Sequence, residues 1–166
     1  KFVNMVFHDL GDGLSIWESS VDTEVYGCVT FDNGWDAPDR GHGHGIYTQN
    51  ETGTKLIEDV ISFNNFETGM KAFGVNGASS GYRFDGVVSF NNGSPSASLR
   101  GNPVYRGDNL LVGSQNKPSE RISISNSHFY YPLDGDAANI HLGYRYPDCL
   151  DVSVTNNTFI RGQNLL

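Results

Sequence analysis

At 166 residues the chain is long enough for one domain with a real core; 37% hydrophobic and 18% charged residues, with Gly (20), Phe (10) and Tyr (8) prominent, describe an ordered, turn-rich, β-leaning protein. The net charge of −8 argues against nucleic acid and against an anionic membrane surface as partners, because both need a basic footprint. It does not exclude an acidic substrate, which a local basic stripe could meet, and no apolar run approaches the length of a membrane span.

The chain opens at Lys1, without an initiator Met, directly into "FVNMVF". Residues 1–166 are expected to form a single domain, a fragment or mature piece of a longer protein. Its first phrase, "VNMVFHD" (Val3–Asp9), recurs as "GCVTFDN" (Gly27–Asn33), "DVISFNN" (Asp59–Asn65), "GVVSFNN" (Gly86–Asn92), "ISNSHFY" (Ile124–Tyr130) and "VTNNTFI" (Val154–Ile160). Aligned on Phe7, Phe31, Phe63, Phe90, Phe129 and Phe159, the copies lie 24 to 39 residues apart. A short shared core with variable spacing reads as loops of different length on a common coil.

Each phrase alternates apolar and polar residues, as a strand does. A second short strand follows in most coils: "GLSIWE", "GIYTQN", "GMKAFG", "ASLRG" and "NIHLGY". Asn64, Asn65, Asn91, Asn92, Asn156 and Asn157 fall at corresponding turns, where stacked side-chain amides can satisfy one another. The expected fold is all-β, a right-handed parallel β-helix of about six coils. A β-sandwich is the alternative, but its strands would not repeat one phrase at equivalent positions. Solenoid ends are open edges, so self-association through them is expected. Cys28 and Cys149 would sit four coils apart, beyond disulfide reach, as free thiols with Cys28 in the core.

In the second strands, Leu14, Ile46, Met70, Leu99 or Ser98, and Ile140 open on the core. The next position points outward and holds Ser15, Tyr47, Lys71, Arg100 and His141. Two places on, the outward residues are Trp17, Gln49, Phe73, Gly101 and Gly143. One face therefore carries a basic column beside aromatics, suited to stacking and hydrogen bonding a sugar. A solvated face with scattered charges is the plainer reading.

The run "RGHGHGIYTQN" (Arg40–Asn50) feeds this face. His42 and His44 are two apart and should point the same way in an extended segment. They resemble a zinc pair but lack a third ligand, so no metal is assigned. His42 reads equally as a structural residue holding the loop Asn33–Arg40; His44, next to Tyr47, belongs nearer the site. Either could act as an acid or base.

With "NGW…RGHGHGIYTQN…DVISFNN", the phrases resemble right-handed parallel β-helix proteins of the pectate-lyase-like superfamily over nearly the whole chain. That resemblance implies an extracellular or cell-envelope protein whose partner is a polysaccharide or glycan. The superfamily spans polysaccharide lyases, inverting polygalacturonase-like hydrolases, epimerases and tailspikes, so fold leaves activity open. "GHG" resembles an element of polygalacturonases, but the paired aspartates and Arg-x-Lys are missing, and Glu18 is the only carboxylate expected near the face. A lyase that eliminates across a uronic acid fits the column better: Lys71 as base, Arg100 neutralising the carboxylate, and His44, His141 or Tyr47 as acid. Trp17, Tyr47, Gln49, Arg40 and His42 would bind substrate. No cofactor is assigned. Calcium, which bridges the uronate in many such lyases, is allowed, although no acidic cluster awaits it. A non-catalytic glycan-binding or structural β-helix segment is the remaining alternative.

"DGDAAN" (Asp134–Asn139) reads as a turn rather than a calcium loop, and the insertion Ser94–Ser119, with Tyr105, Arg106 and Lys117, as a wall of the groove.

Overall fold

Among the described residues, single residues in the left-handed region bend the chain at a first corner in all six coils and at a second corner in five of them. The first corner holds Asn4, Gly27, Asp59, Gly86, Asn126 and Asn156, with φ between 52° and 66°. The second holds Asp9, Asp32, Asn64, Asn91 and Arg161, with φ between 52° and 56°. Asn, Asp and Gly tolerate this conformation best, which accounts for the Asn-rich turns of the sequence. Short strands run between the corners. The computed structural model describes residues 1–93, 107–131 and 137–166.

The strands stack as six coils. Coil 1 contains β1 (Phe2–Val3), β2 (Val6–His8) and β3 (Leu14–Ile16). Coil 2 contains β4 (Glu24–Tyr26), β5 (Val29–Phe31), a hairpin of β6 (Trp35–Asp36) and β7 (Gly41–His42), and β8 (His44–Thr48). Coil 3 contains β9 (Lys55–Glu58), β10 (Ile61–Phe63) and β11 (Thr68–Gly74). Coil 4 contains β12 (Ser79–Asp85), β13 (Val88–Phe90) and β14 (Leu110–Ser114). Coil 5 contains β15 (Ser119–Ser125), β16 (His128–Tyr130) and β17 (Ala138–Arg145). Coil 6 contains β18 (Cys149–Thr155), β19 (Thr158–Ile160) and β20 (Gln163–Leu165). Equivalent strands pair in parallel into three six-stranded sheets, making the molecule a right-handed parallel β-helix. The expected fold is thus the observed one.

The interior is a continuous apolar file including Val25, Ile57, Phe84, Ile124, Ile46, Met70, Leu110 and Ile140. Cys28 lies in this core and both cysteines are free. At the second corner five buried asparagines form one chain of amides. Asn33 Nδ2 donates to Asn65 Oδ1 and Asn65 Nδ2 to Asn92 Oδ1, each at 2.9 Å. Asn92 continues to Asn109 at 2.9 Å, and Asn109 to Asn139 at 3.0 Å. The bend residues form separate short ladders, half-buried Asn91 to Asn64 and exposed Asn156 to Asn126, both 2.6 Å. Asn157 bonds instead to the backbone of coil 5, donating to Ile124 O at 2.9 Å.

Two expectations are corrected. The aligned phenylalanines are not one column. Phe31, Phe63 and Phe90 pair with His8 and Tyr130 on the outer face of the β2-β5-β10-β13-β16-β19 sheet. Phe7, Phe129 and Phe159 occupy the neighbouring inward column with Thr30, Ser62 and Ser89. The small polar residues make room for the amide chain inside coils 2 to 4: Ser62 and Ser89 hydroxyls accept from Asn65 and Asn92 at 3.2 and 3.1 Å. The displaced bulk moves one residue outward, where Phe31, Phe63 and Phe90 stack at 5.1 and 5.0 Å. The second strand of coil 4 is Leu110–Ser114, not "ASLRG"; Leu110, not Leu99 or Ser98, opens on the core.

Removing the centre of the amide chain orphans buried groups on both neighbours. Asn65→Ala is expected to lower unfolding free energy by about 3 kcal/mol, whereas Asn76→Ala in an exposed bend should stay within about 0.5 kcal/mol. Urea unfolding of both variants checks this. Lys55 is 1% exposed, its Nζ donating to Trp17 O at 2.9 Å, and burial lowers its pKa to about 8. From about pH 8 to 10 the unfolded chain therefore binds more protons at this site, and stability should rise with pH. Lys55→Met should flatten that rise in unfolding curves measured at pH 7, 8.5 and 9.5.

Candidate functional site

The alternating glycines of "RGHGHGIYTQN" are set by packing. A Cβ on Gly43, at φ +91°, would lie 2.2 Å from Gly11 O and 2.4 Å from Gly34 Cα. A Cβ on Gly45 would lie 2.5 to 2.6 Å from Thr30 Oγ1, Ser62 Oγ and Gly69 O. Gly43 also interrupts the extended alternation, so His42 and His44 have different surroundings. His42 stacks on Trp35 across the β6–β7 hairpin at 5.2 Å and bonds Asp39 at 3.0 Å. His44 turns toward the sheet face, with Tyr47 at 5.5 Å and Glu67 Oε2 at 3.8 Å from Nε2. The structural reading of His42, as the residue that fastens its loop, fits these contacts.

The outward column of the β3-β8-β11-β14-β17 sheet holds Ser15, Tyr47, Lys71, Leu111 and His141. Arg100 is therefore not its fourth member: Leu111 takes that rung, and Arg100 lies outside the described residues. Two places on come Phe73, Gly113 and Tyr144; Gly113, not Gly101, is the coil 4 member, and an irregularity after Leu142 makes Tyr144, not Gly143, its partner. The legible signal was the pair "NLLVG" (Asn109–Gly113) and "NIHLG" (Asn139–Gly143), which repeat position for position.

Lys71 lies between two rings, 5.8 Å from the Tyr47 centroid and 5.7 Å from that of Phe73. Trp17, 52% exposed, meets Tyr47 edge-on at 5.5 Å, and Gln49 Nε2 donates to Tyr47 OH at 2.9 Å. Arg40 Nη1 pairs with Glu67. Asp12 Oδ1 accepts the His44 backbone N–H at 2.9 Å. Farther up the same face, His141 Nδ1 meets Asp108 Oδ2 at 3.1 Å. The structure thus gathers Arg40, His44, Tyr47 and Lys71, with Trp17 and Gln49 at the edge, and sets His141 two rungs away.

Sequence reasoning missed three carboxylates, Asp12, Glu67 and Asp108, and Glu18 is not the only acid near this face. Asp12, His44, Thr68 and Asp108 share one register position, two residues ahead of the inward Leu14, Ile46, Met70 and Leu110. A column read two places upstream of the strand would have found two of them. Among the described residues no group of three His, Cys, Asp or Glu is arranged to hold a metal.

Burial dominates the electrostatics. It raises the Asp12 pKa against the lowering bond from His44 N–H, with Glu67 adding a further rise. It lowers that of Lys71, helped by Arg40 and Arg145 and opposed by Glu67 and Asp12. It raises that of Tyr47. His44, only 8% exposed, is pushed well below the ordinary histidine value, first by burial and then by Lys71, Arg40 and His42. Burial thus favours its neutral imidazole form, and among the described residues its Nδ1 is buried without a hydrogen-bond partner. The arrangement places a depressed lysine and a raised carboxyl on one surface, the separation of proton affinities that acid–base chemistry uses. Comparison with models of known protein families, with curated proteins and with solved structures finds no match.

As pH falls below about 6.5 the unfolded chain protonates His44 while the folded one resists. Stability should therefore drop on acidification through that window. Asp12 acts with the opposite sign nearer the carboxylate range, so the comparison is His44→Gln, which should lose much of the drop in urea unfolding at pH 7.5, 6 and 5.

Proposed function

We propose that the protein is a carbohydrate-active β-helix related in kind to the pectate-lyase-like superfamily, and that it cleaves an acidic polysaccharide by β-elimination outside the cell or at its envelope. The observation that carries this reading is Lys71: a largely buried amine, with no ion pair among the described residues, held between Tyr47 and Phe73 beside a carboxyl of raised pKa. In its neutral form the amine takes the C5 proton of a uronate. The released electron pair forms the C4–C5 double bond as the C4–O bond breaks, and the leaving oxygen takes a proton from Asp12 in its acid form or from Tyr47. Arg40, whose charge is felt at both His44 and Lys71, faces the substrate carboxylate and stabilises charge that builds at C5. Neutral His44 is left to hold and hydrogen-bond rather than to supply the proton. Trp17 offers an open aromatic surface for a sugar ring.

A second reading, inverting hydrolysis, gains from Asp12 and Glu67 lying on the same cluster, since such enzymes use two carboxyls with a water between. Glu67 is tied to Arg40, which disfavours it as a free base.

An ultraviolet assay at about 235 nm for the unsaturated uronate product separates these over pectic, alginate and glycosaminoglycan polymers with and without calcium, followed by a reducing-end assay. Elimination predicts a rise on one polymer, cut by about 10³-fold or more in Lys71→Ala. Its kcat/KM should climb with pH to a limb below the usual lysine range, because the neutral amine is the active form. New reducing ends without absorbance would favour hydrolysis; neither product would remove the enzymatic reading.

A further inference from the structure

Two rungs above Lys71 the same face carries a second, separately built constellation. Asp108 is fixed from the coil above, its Oδ1 accepting Ala138 N–H at 3.1 Å, while Oδ2 receives His141 Nδ1–H at 3.1 Å. A carboxylate on Nδ1 fixes the tautomer, which leaves the Nε2 lone pair for an outside donor. Among the described residues Nε2 makes no hydrogen bond. His141 also meets Tyr144 edge-on at 5.3 Å, and the Arg145 guanidinium lies 5.7 Å from the Tyr144 ring.

Tyr144 is on this face only because the strand bulges. Val112 pairs with Leu142, but Gly113 pairs with Tyr144, so Gly143 is an extra residue. Gly143 takes φ +72° and delivers the Tyr144 backbone onto Gly113, where a Cβ would lie 2.4 Å from Tyr144 O. Bulges of this kind re-aim side chains beside functional sites. Here the effect is to seat Tyr144 5.8 Å from Phe73, the ring that flanks Lys71. The surface is thus continuous from Lys71 through Phe73 and Tyr144 to His141 and Arg145. Leu111, 5% exposed, fills the rung between without a polar group.

We propose that His141, Tyr144 and Arg145 form a distal subsite for a uronate residue of the same polymer chain, which then runs along the solenoid axis across coils 2 to 5. This rests on the acidic-polysaccharide reading above. Strand spacing puts the His141 rung about 10 Å from Lys71, the reach of a disaccharide unit in an extended chain. His141 Nε2 accepts a sugar hydroxyl, Tyr144 packs on the ring, and Arg145 pairs with the carboxylate. His141 is accordingly a positioning residue, too far up the face to serve as the acid at Lys71.

The test is length dependence. A size-graded series of uronate oligomers, from trimer to hexamer, is prepared from each of pectic, alginate and glycosaminoglycan polymers, and binding to each is also measured by calorimetry. His141→Ala should lower kcat/KM about tenfold on hexamer and leave trimer unchanged, with His141→Gln restoring part of the loss. If His141→Ala fails to fold by thermal melt, Arg145→Gln, an exposed change, should weaken binding of charged hexamer but not of its methyl-esterified form. Losses equal at all lengths, or no loss at any, overturn the subsite while leaving the enzymatic reading intact. A parent protein that neither binds nor cleaves any of the oligomers overturns both.

Discussion

The amide chain at the second corner is the constraint on which the rest of the molecule depends. Each buried asparagine is paired with the next, between neighbouring coils or, for Asn92 and Asn109, within coil 4, because an unpaired amide inside the solenoid costs as much as several ordinary contacts return. That requirement fixes the vertical register of the coils. It also dictates what stands opposite. Where the asparagine arrives from the first side of the corner, as Asn33, Asn65 and Asn92 do, the facing residues are Gly13, Gly45 and Gly69, and any Cβ there would strike a neighbour at 2.5 to 2.8 Å. Where it arrives from the second side, as Asn109 and Asn139 do, the glycine position is itself the asparagine. The chain changes sides between Asn92 and Asn109, within coil 4.

The same constraint decides which residues reach the outer face. Small hydroxyls line the inside of coils 2 to 4 next to the amides, so aromatic bulk is moved outward as Phe31, Phe63 and Phe90. On the next sheet, tight glycine corners bring the hairpin carrying Arg40 and His42 against coil 3, where Arg40 meets Glu67. Lys71 then sits beside acids contributed by coils 1 and 3. Asp12, the Arg40–His42 hairpin and the Glu67–Lys71 segment are far apart in sequence; the register makes the cluster.

The fold was legible because it is written as repetition: one phrase in six copies, with Asn and Asp at bends that need a left-handed residue. The side on which each phenylalanine lies was not legible from the phrase, since a slip of one residue inverts inside and outside while leaving the alternation intact. Lys71 and Tyr47 were found because both coils open with Gly followed by an apolar residue. Arg100 was misplaced because the insertion after Asn92 offered "ASLRG" before the better match "NLLVG". Asp12 and Glu67 escaped notice because they precede the strands, in positions that a sheet alternation does not describe. The bulge at Gly143 likewise has no signature beyond a glycine in a strand.

This register places Lys71 where burial lowers the proton affinity of its amine. Titration of the Lys71 side chain by nuclear magnetic resonance tests it directly, in the parent protein and in Gly69→Ala, where the added methyl would strike Asn92 Nδ2 at 2.5 Å and displace the strand. The account predicts a pKa below the ordinary lysine value in the parent and a return toward that value in the variant. An ordinary lysine pKa in the parent would contradict it, whatever the variant does.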